Sequence, residues 1–175
     1  MKELGRLLTA MVTPFDEEGR VDYEQAKRLA LALIKSGSDG VVVTGTTGES
    51  TTVSREDKLR LFSEIKAVVG DRGTVIANTG NNNTAASREL TREAEQTGVD
   101  ACLLVVPCYN KPSQDGLYRH FETIAQGTSL PCIIYNVPSR TITNLSADTL
   151  IKLGQVDNII GVKEASSDLG QISRI

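Results

Sequence analysis

Short apolar runs alternate with longer amphipathic stretches along the chain. The runs are rich in β-branched residues and have strand length, whereas the stretches between them repeat apolar residues at helical spacing. After the first run, for example, Ala30, Leu33 and Ile34 recur about one helical turn apart. The pattern predicts six strands, at residues 7–12, 40–45, 74–78, 101–107, 131–136 and 158–163.

Helix start signals follow several of these runs. Ser54 and Asp57 form an S-x-x-D sequence, in which the hydroxyl and the carboxylate cap backbone N–H groups that have no partner inside the helix. Thr84 precedes the third predicted helix and Ser146 precedes the fifth. The chain is therefore expected to alternate strand and helix regularly.

The predicted fold class is α/β. Because the apolar runs are continuous rather than alternating, the strands are expected to be buried on both faces. A strict strand–helix–strand order requires parallel pairing through right-handed crossovers. Two architectures remain open at this point, a doubly wound sheet and a (β/α)8 barrel.

The length of the chain bears on the choice between them. A barrel needs eight strand–helix units and typically about 250 residues, whereas these 175 residues provide six. After the sixth run, Leu169, Ile172 and Ile175 begin a helical pattern that the sequence does not complete. If the fold is a barrel, residues 1–175 are expected to form one incomplete domain, either a fragment or a chain that a partner completes.

Charge and composition exclude some classes of function. The chain is 39% hydrophobic and 23% charged, with a net charge of −3 and basic residues scattered along its length. Nucleic-acid-binding proteins normally carry a clustered basic surface, so no nucleic-acid partner is expected. The first fifteen residues contain neither a secretory core nor a membrane span. The cytoplasm is the expected compartment, with no membrane partner.

Cysteine and histidine give no sign of a disulfide framework or a metal centre. Cys102, Cys108 and Cys132 form no C-x-x-C pair and lie in or beside apolar runs, where a thiol behaves as a small hydrophobe. His120 is the single histidine and has no soft ligand three or four residues away. The expected chemistry uses no metal and no cofactor.

Candidate catalytic residues lie where the predicted strands end, because the carboxyl ends of parallel strands carry the chemistry of α/β proteins. Lys163 ends the sixth run, where partial burial would favour the neutral amine that attacks carbonyl groups. Tyr135 lies near the end of the fifth run and, if sheet order follows chain order, is beside Lys163 as a proton relay. The alternatives are a lysine that reaches into solvent and a tyrosine that only packs.

The G-T-T-G-E sequence at residues 45–49 follows the second strand. Its two glycines would let backbone N–H groups turn inward, and the hydroxyls of Thr46 and Thr47 would add donors, a set that suits a carboxylate. No Gly-Lys-Ser/Thr follows, so it is not a nucleotide-binding P-loop. A tight turn without a ligand is the alternative.

Further polar residues follow the fourth and fifth strands. Arg140 lies in the N-V-P-S-R-T sequence, on a loop stiffened by its proline, and offers a planar fork for a second carboxylate. A surface arginine is the alternative. Tyr109 follows the fourth strand as an exposed phenol. Glu49 and Glu164 also lie at strand ends and are interpreted as structural.

An amine, two phenols, an anion site and an arginine at one end of a sheet suit an α-keto acid that forms an imine with lysine. Four motifs occur in order along the chain: GTTGE (45–49), CYNKPSQ (108–114), YNVPSRT (135–141) and IIGVKEAS (159–166). In their order and spacing they resemble those of the dihydrodipicolinate synthase family of pyruvate-dependent class I aldolases. The resemblance runs from the first strand to the last residue, and it implies a (β/α)8 barrel of which about six β/α units are present.

This resemblance implies a Schiff-base condensation of pyruvate with aspartate 4-semialdehyde, on the route to lysine and diaminopimelate. It implies that Lys163 forms the imine with pyruvate, and that Tyr135 and Thr46 relay protons. Tyr109 would take part in this relay from a neighbouring subunit, which implies a homodimer or homotetramer.

The same resemblance assigns the binding of the two carboxylates. Thr47 would hold the carboxylate of pyruvate, and Arg140 would receive that of the aldehyde. The arginine distinguishes this reading from a sugar-acid or N-acetylneuraminate-type pyruvate aldolase, in which the loop after Y-N-x-P varies. A non-catalytic barrel fragment is the alternative of a different class.

Two departures from the family pattern have consequences. The family's barrel continues for two further units and a helical region that are absent here. Members inhibited by lysine are expected to bind it at a dimer interface, and this sequence keeps Ser50 and Asn82 of that site. It has Lys58, Ala86 and Cys108 where a histidine, a carboxylate and a tyrosine would help to hold lysine. Feedback inhibition is therefore predicted to be weak or absent.

Overall fold

The structure, a computed structural model, describes residues 3–175. Its strands and helices alternate as the sequence predicts. The strands are β1 (Leu8–Ala10), β2 (Gly40–Val43), β3 (Thr74–Asn78), β4 (Ala101–Val105), β5 (Cys132–Asn136) and β6 (Ile159–Glu164). The helices are α1 (Tyr23–Lys35), α2 (Arg55–Val69), α3 (Thr84–Gln96), α4 (Gln114–Ala125), α5 (Pro138–Thr141), α6 (Ala147–Leu153) and α7 (Leu169–Ile172), with a 3₁₀ turn at Gly70–Arg72.

The chain divides into two compact units. The first unit is Met1–Asn78 with Glu93–Ala101, and the second unit is Thr79–Arg92 with Cys102–Ile175. Sheet order follows chain order from β1 to β6. The parallel α/β class predicted from the apolar runs is confirmed by this topology.

In the first unit, β1, β2 and β3 pair in parallel, and all residues of β2 and β3 are buried. Gly40 is paired with Leu8 on one side and Thr74 on the other. A Cβ at Gly40 would lie 2.6 Å from the Thr74 carbonyl oxygen, so the close approach of these strands requires a glycine there. Helices α1 and α2 pack together, and Phe62 and Ile65 of α2 are fully buried.

Side-chain caps fix the helix starts. The Ser54 hydroxyl accepts a hydrogen bond from the Asp57 amide, and the Ser146 hydroxyl accepts one from the Thr149 amide. Both caps agree with the sequence prediction. Thr84 is the first residue of α3 rather than the residue before it, a difference of one position at a helix end.

In the second unit, β4, β5 and β6 pair in parallel, and α4 packs against α6. The register places Tyr135 opposite Lys163 and Asn136 opposite Glu164. Strand β5 is almost wholly buried, whereas β6 alternates between buried or half-buried and exposed positions. The expectation that every strand is buried on both faces is therefore wrong for β6, and also for β1, whose three residues are all half-buried.

The segment that contains Arg140 was expected to be a loop and is instead the single-turn helix α5. Pro138 occupies its first turn, where a residue without an N–H group costs nothing. The Ile142 amide closes the turn by donating to the Pro138 carbonyl at 2.8 Å. Arg140 is consequently held on a rigid backbone. In the described part of the chain, no helix combines the length and apolar character needed to span a bilayer.

Candidate active site

Lys163 and Tyr135 lie side by side at the carboxyl ends of β6 and β5. The Lys163 Nζ atom is 4.3 Å from the centre of the Tyr135 ring, within the range of a cation–π contact. Tyr135 is buried, at 6% exposure, whereas Lys163 is exposed. The sequence-based placement of these two residues as neighbours is confirmed, because sheet order follows chain order here.

The sequence predicts that Lys163 is partly buried at the end of its strand. In the structure the lysine belongs to the half-exposed strand β6, so its amine has access to solvent. The contact that the structure provides is the tyrosine ring rather than a buried pocket. An amine and a phenol held at adjacent strand ends are the groups that imine formation and proton relay require.

Asn136 and Glu164, the next residues along β5 and β6, form a polar cluster that the sequence analysis did not find. Asn136 is fully buried, and its amide nitrogen lies 3.0 Å from each carboxylate oxygen of Glu164. The same nitrogen donates to Asn144 Oδ1 at 2.8 Å, and Asn136 Oδ1 accepts from the Leu145 amide at 3.0 Å. The interpretation of Glu164 as structural missed this partner. The sequence carries a signal for this pair, because Asn136 directly follows Tyr135 and Glu164 directly follows Lys163 on strands expected to be adjacent.

The Glu164 carboxylate also connects β6 to the segment that follows it. Glu164 Oε1 accepts a hydrogen bond from the Ser166 amide at 2.8 Å, and Oε2 accepts one from Gln171 Nε2 of α7 at 3.2 Å. Gln171 in turn accepts from Asn144 Nδ2 at 2.9 Å. The Glu164 carboxylate thus binds β5, the segment after β6 and α7, and Asn144 adds the connection between α5 and α6 through its bonds with Asn136 and Gln171.

Arg140 lies on α5 in the second unit, directly after β5, and is exposed. The neighbouring Thr141 is buried, and its hydroxyl donates to the carbonyls of Val137 and Thr143. These bonds hold the turn that carries Arg140. A guanidinium displayed from a fixed turn suits recognition of a ligand carboxylate.

Tyr109 is the apex of a tight turn after β4. Its φ is 72°, and the Asn110 amide donates to the Cys108 carbonyl at 2.8 Å, which closes a three-residue turn. Asn110 Nδ2 also donates to the Asn82 carbonyl at 3.2 Å. The phenol is 89% exposed, as expected from the sequence. The strained turn thus holds an exposed aromatic side chain at its apex, and strain of this kind often clusters at functional sites.

Thr46 and Thr47 belong to the first unit, where residues 45–49 form a turn after β2, and both side chains are exposed. The Gly48 amide donates to the Gly45 carbonyl at 3.1 Å. The Glu49 amide donates to the Thr46 carbonyl at the same distance. These two amides are used inside the turn, so they do not form the inward-facing anion nest expected from the glycines. A carboxylate site here depends on Thr46 and Thr47 themselves.

This turn is held at both ends. Thr44 and Glu49 have positive φ values of 51° and 54°, a conformation that costs non-glycine residues roughly 1–3 kcal/mol each. The Thr13 hydroxyl donates to the Gly48 carbonyl at 2.7 Å, and Asn78 Nδ2 donates to the Ser50 hydroxyl at 2.9 Å. The surrounding bonds keep the strained backbone in place.

Three further titratable side chains of the second unit, Cys102, Cys132 and His120, are buried. Cys102 and Cys132 are opposite each other on β4 and β5, with their Sγ atoms 3.3 Å apart and all three cysteine thiols unlinked. The hydrogen bond with Cys132 and burial raise the pKa of the Cys102 thiol. Burial lowers the pKa of His120 to about 4. Within residues 3–175 no three metal-ligating side chains cluster together.

Comparisons with known proteins extend these observations. The sequence profile of the dihydrodipicolinate synthetase family matches residues 3–175. The 4-hydroxy-tetrahydrodipicolinate synthase of Dehalococcoides mccartyi is 63% identical over 100% of this chain and 59% of its own length. The chain thus spans about three fifths of the length of this relative.

Solved structures agree with this result. A crystal structure of dihydrodipicolinate synthase from Bacillus anthracis has a TM-score of 0.97 and 47% identity, covering 100% of this chain and 60% of that one. The enzyme from Acinetobacter baumannii, solved complexed with pyruvate, has a TM-score of 0.94 and 42% identity, covering 97% and 58%. The six strand–helix units thus have the fold of the corresponding part of these barrel enzymes. The chain belongs to the dihydrodipicolinate synthetase family.

Proposed function

We propose that this chain carries the imine-forming lysine of a lyase that condenses pyruvate with aspartate 4-semialdehyde, the reaction of 4-hydroxy-tetrahydrodipicolinate synthase. The observation that supports it most directly is the pairing of Lys163 and Tyr135, whose amine and ring centre are 4.3 Å apart. Relatives that carry this enzyme name match the entire chain at up to 63% identity. A relative solved with pyruvate supports the choice of the first substrate.

The proposed reaction begins at the Lys163 amine. The neutral amine adds to the C2 carbonyl of pyruvate to give a carbinolamine. Uptake of one proton, delivered through Tyr135, and loss of one water molecule then give the protonated imine. Loss of a methyl proton converts the imine to an enamine, whose carbon attacks the aldehyde carbon of the second substrate. Tyr135 is the proposed carrier of the protons exchanged in these steps, because its ring contacts the amine. Thr46, with Tyr109 from a neighbouring subunit, completes the proposed relay.

The substrates each carry a carboxylate. Thr47 is the proposed ligand of the pyruvate carboxylate through its exposed hydroxyl, and Arg140 the proposed ligand of the aldehyde carboxylate through its guanidinium. The pathway assignment follows from this second substrate, and it is the synthesis of lysine and diaminopimelate. A homodimer or homotetramer in the cytoplasm is part of the same proposal. The 89% exposure of Tyr109 supports contact with a second copy.

The test is borohydride trapping. The full chain is incubated with pyruvate and borohydride, and the adduct is located by peptide mass spectrometry. An adduct on Lys163 that is absent from Lys163→Ala supports the proposal. No adduct in a protein shown by circular dichroism to be folded would overturn it for this chain and favour a non-catalytic barrel fragment. Lys152, on α6, is an internal control for non-specific reduction.

Arg140→Ala tests the second substrate. If Arg140 binds the carboxylate of the aldehyde, this variant still forms the imine with pyruvate but uses aspartate 4-semialdehyde poorly. The loss of one charged hydrogen-bonding partner is expected to raise the KM for the aldehyde about 10- to 100-fold. An unchanged KM would show that Arg140 does not bind this carboxylate. If the unchanged chain forms the imine but does not use aspartate 4-semialdehyde, the sugar-acid aldolase alternative is favoured.

A further inference from the structure

We infer that Asn136 and Glu164 are positioning residues, which fix the end of β6 so that Lys163 stays in place against Tyr135. This inference rests on the proposed function, because it assigns a role around the same lysine. It does not make either residue a catalytic group, since both act through the backbone of the strands that carry Tyr135 and Lys163.

The strand register links Asn136 and Glu164 to the two candidate catalytic residues. Tyr135 is opposite Lys163, and Asn136 is opposite Glu164. Successive side chains of a strand point to opposite faces of the sheet. The Asn136–Glu164 pair therefore lies back to back with the Tyr135–Lys163 pair. Any shift that separates one pair also separates the other.

The hydrogen bond between Asn136 and Glu164 is charged at one end and buried at the other. The Asn136 nitrogen has two hydrogens, of which one is directed to Asn144 at 2.8 Å and the other is shared by the two Glu164 oxygens at 3.0 Å. A hydrogen bond to a charged acceptor is about twice as strong as a neutral one. Asn136 is fully buried, so a lost partner would leave a polar group unsatisfied in the interior.

The Asn136–Glu164 pair holds both the end of β6 and the segment that follows it. Lys163 is on β6, which pairs with β5 and is half-exposed. Directly after Glu164 the chain turns at Ser167, whose φ is 64°, into α7. The Glu164 carboxylate binds the Ser166 amide and the Gln171 side chain beyond this turn. Both the strand before the turn and the helix after it are thus tied to the buried Asn136.

This arrangement matters because attack on a carbonyl carbon depends on the position of the amine. A displacement of 1 Å in the reacting group can slow a reaction about 100-fold. Backbone pairing of β6 with β5 is one constraint on this position. The side-chain cluster supplies a second constraint at the level of the lysine.

Glu164→Gln is the main test variant. It keeps the size of the side chain, but one of its ends becomes an N–H donor that faces the Asn136 donor. The first-order rate of imine formation at saturating pyruvate is expected to fall about 10- to 100-fold. The pyruvate concentration for half-maximal rate should change far less, because no group that binds the carboxylate is altered.

Exchanging the donor and the acceptor between positions 136 and 164 should restore the rate of imine formation. Asn136→Asp alone places two carboxylates against each other and is expected to slow imine formation at least as much. Asn136→Asp combined with Glu164→Gln restores one donor facing one acceptor. The double variant should recover about tenfold of the lost rate, as residues in direct contact are coupled.

Asn158→Ala is the matched control. Asn158 precedes β6 at its opposite end, and its amide nitrogen donates to the carbonyls of Ala125, Thr128 and Leu130 at 2.9, 3.1 and 3.1 Å. Its loss also removes a multiply bonded amide from the second unit, but far from Lys163 along the strand. This variant is expected to lose stability and to keep the imine rate of the unchanged chain.

A second measurement separates this inference from the proposed function. The rate at which trace acetic anhydride acetylates Lys163, relative to Lys152, reports the surroundings of the amine without pyruvate. If the unchanged chain forms an adduct and folded Glu164→Gln forms it at the same rate, the positioning role is wrong while the function stands. If the unchanged chain forms no adduct, the proposed function is wrong, and the acetylation ratio then tests the positioning role by itself. A ratio altered in Glu164→Gln but not in Asn158→Ala supports positioning, and an unaltered ratio overturns it.

Discussion

Ile142 has a backbone conformation that its side chain disfavours. Its φ is 62°, in the left-handed region, and its side chain is 70% exposed. A Cβ atom in this region costs roughly 1–2 kcal/mol, and β-branching makes the position a clear outlier. The residue caps α5 and lies two positions from Arg140. The strain is therefore located where the proposed second substrate would bind.

Ile142→Gly is expected to stabilise the chain. Glycine removes the steric cost, but its greater conformational freedom stabilises the unfolded chain by about 0.5–1 kcal/mol. The net gain in the free energy of unfolding is therefore roughly 0.5–1 kcal/mol. Little apolar burial is lost, because the side chain is mostly exposed. Urea unfolding at neutral pH measures the difference. Ile142→Ala, which keeps a Cβ atom, is the control. If both variants change stability equally, the strain is not the cause.

His120 is a buried imidazole with only one of its nitrogens satisfied. Its Nδ1 is 2.8 Å from the Thr84 hydroxyl, while Nε2 is buried and has no hydrogen-bond partner within residues 3–175. Burial lowers the pKa of His120 to about 4, from an ordinary value of 6.5. The folded chain therefore keeps the imidazole neutral at pH values where the unfolded chain would protonate it.

The free energy of unfolding is therefore expected to fall as the pH is lowered from about 6.5 to 4. In that window the unfolded state binds more protons, so this contribution is complete above pH 6.5 and lost as the pH approaches the folded-state pKa. The loss is up to roughly 3 kcal/mol. His120→Gln, which does not titrate, should reduce this dependence in urea unfolding at several pH values. Parallel pH curves for the two proteins would contradict the assignment.

At the scale of elements, one tyrosine of α1 contacts two residues of α2. The Tyr23 hydroxyl donates to Asp57 at 2.5 Å, and the Arg60 guanidinium carbon lies 3.7 Å from the centre of the Tyr23 ring. Burial and the hydrogen bond to the carboxylate raise the pKa of Tyr23 to about 12. The hydrogen bond from Tyr23 contributes most to a lowered pKa of Asp57. Asp57 also caps α2 with Ser54, so one carboxylate organises the start of α2 and its contact with α1.

Tyr23→Phe is expected to lower the free energy of unfolding by about 1 kcal/mol, the usual contribution of a partly exposed hydrogen bond to a charged group. Thermal or urea unfolding at neutral pH gives the value. Tyr118→Phe is a matched control, because its hydroxyl donates to Glu122 within a single helix, at 2.9 Å. The loss should be smaller there, since no second element is released. Equal losses would show that the contact between α1 and α2 adds nothing.

At the scale of the whole molecule, the resemblance to lysine-inhibited relatives leads to a regulatory prediction. Lys58 is a half-buried cation, whose pKa burial lowers, and by the resemblance it replaces a neutral histidine of the effector site. Ala86 removes a carboxylate and Cys108 a tyrosine. A bound lysine would therefore meet an additional positive charge and lose a negative one.

The expected result is that lysine in the millimolar range leaves the condensation rate of the full chain nearly unchanged. The measurement is the steady-state rate with and without added lysine, at fixed pyruvate and aspartate 4-semialdehyde. Introducing Lys58→His together with Ala86→Glu should increase sensitivity to lysine. Strong inhibition of the unchanged chain at millimolar lysine would show that the effector site does not need the three replaced side chains.

The sequence by itself determined the parallel α/β class, the six strand positions to within a few residues and the Ser54 and Ser146 caps. These features depend on local chemistry: apolar runs, helical spacing and a hydroxyl before a helix. It also identified Lys163 and Tyr135, because both lie at strand ends whose order in the sheet follows the chain. Their roles, and those of Thr46, Thr47, Tyr109 and Arg140, stay predictions.

Only the tertiary structure decided what surrounds those residues. The contact of Lys163 with the Tyr135 ring depends on the pairing of β6 with β5, and the proposed role of Glu164 depends on its register with Asn136. Both are properties of contacts between segments distant along the chain, which residue spacing does not encode. The amides of the 45–49 turn illustrate the same point, because their partners are set by the folded turn rather than by its glycines.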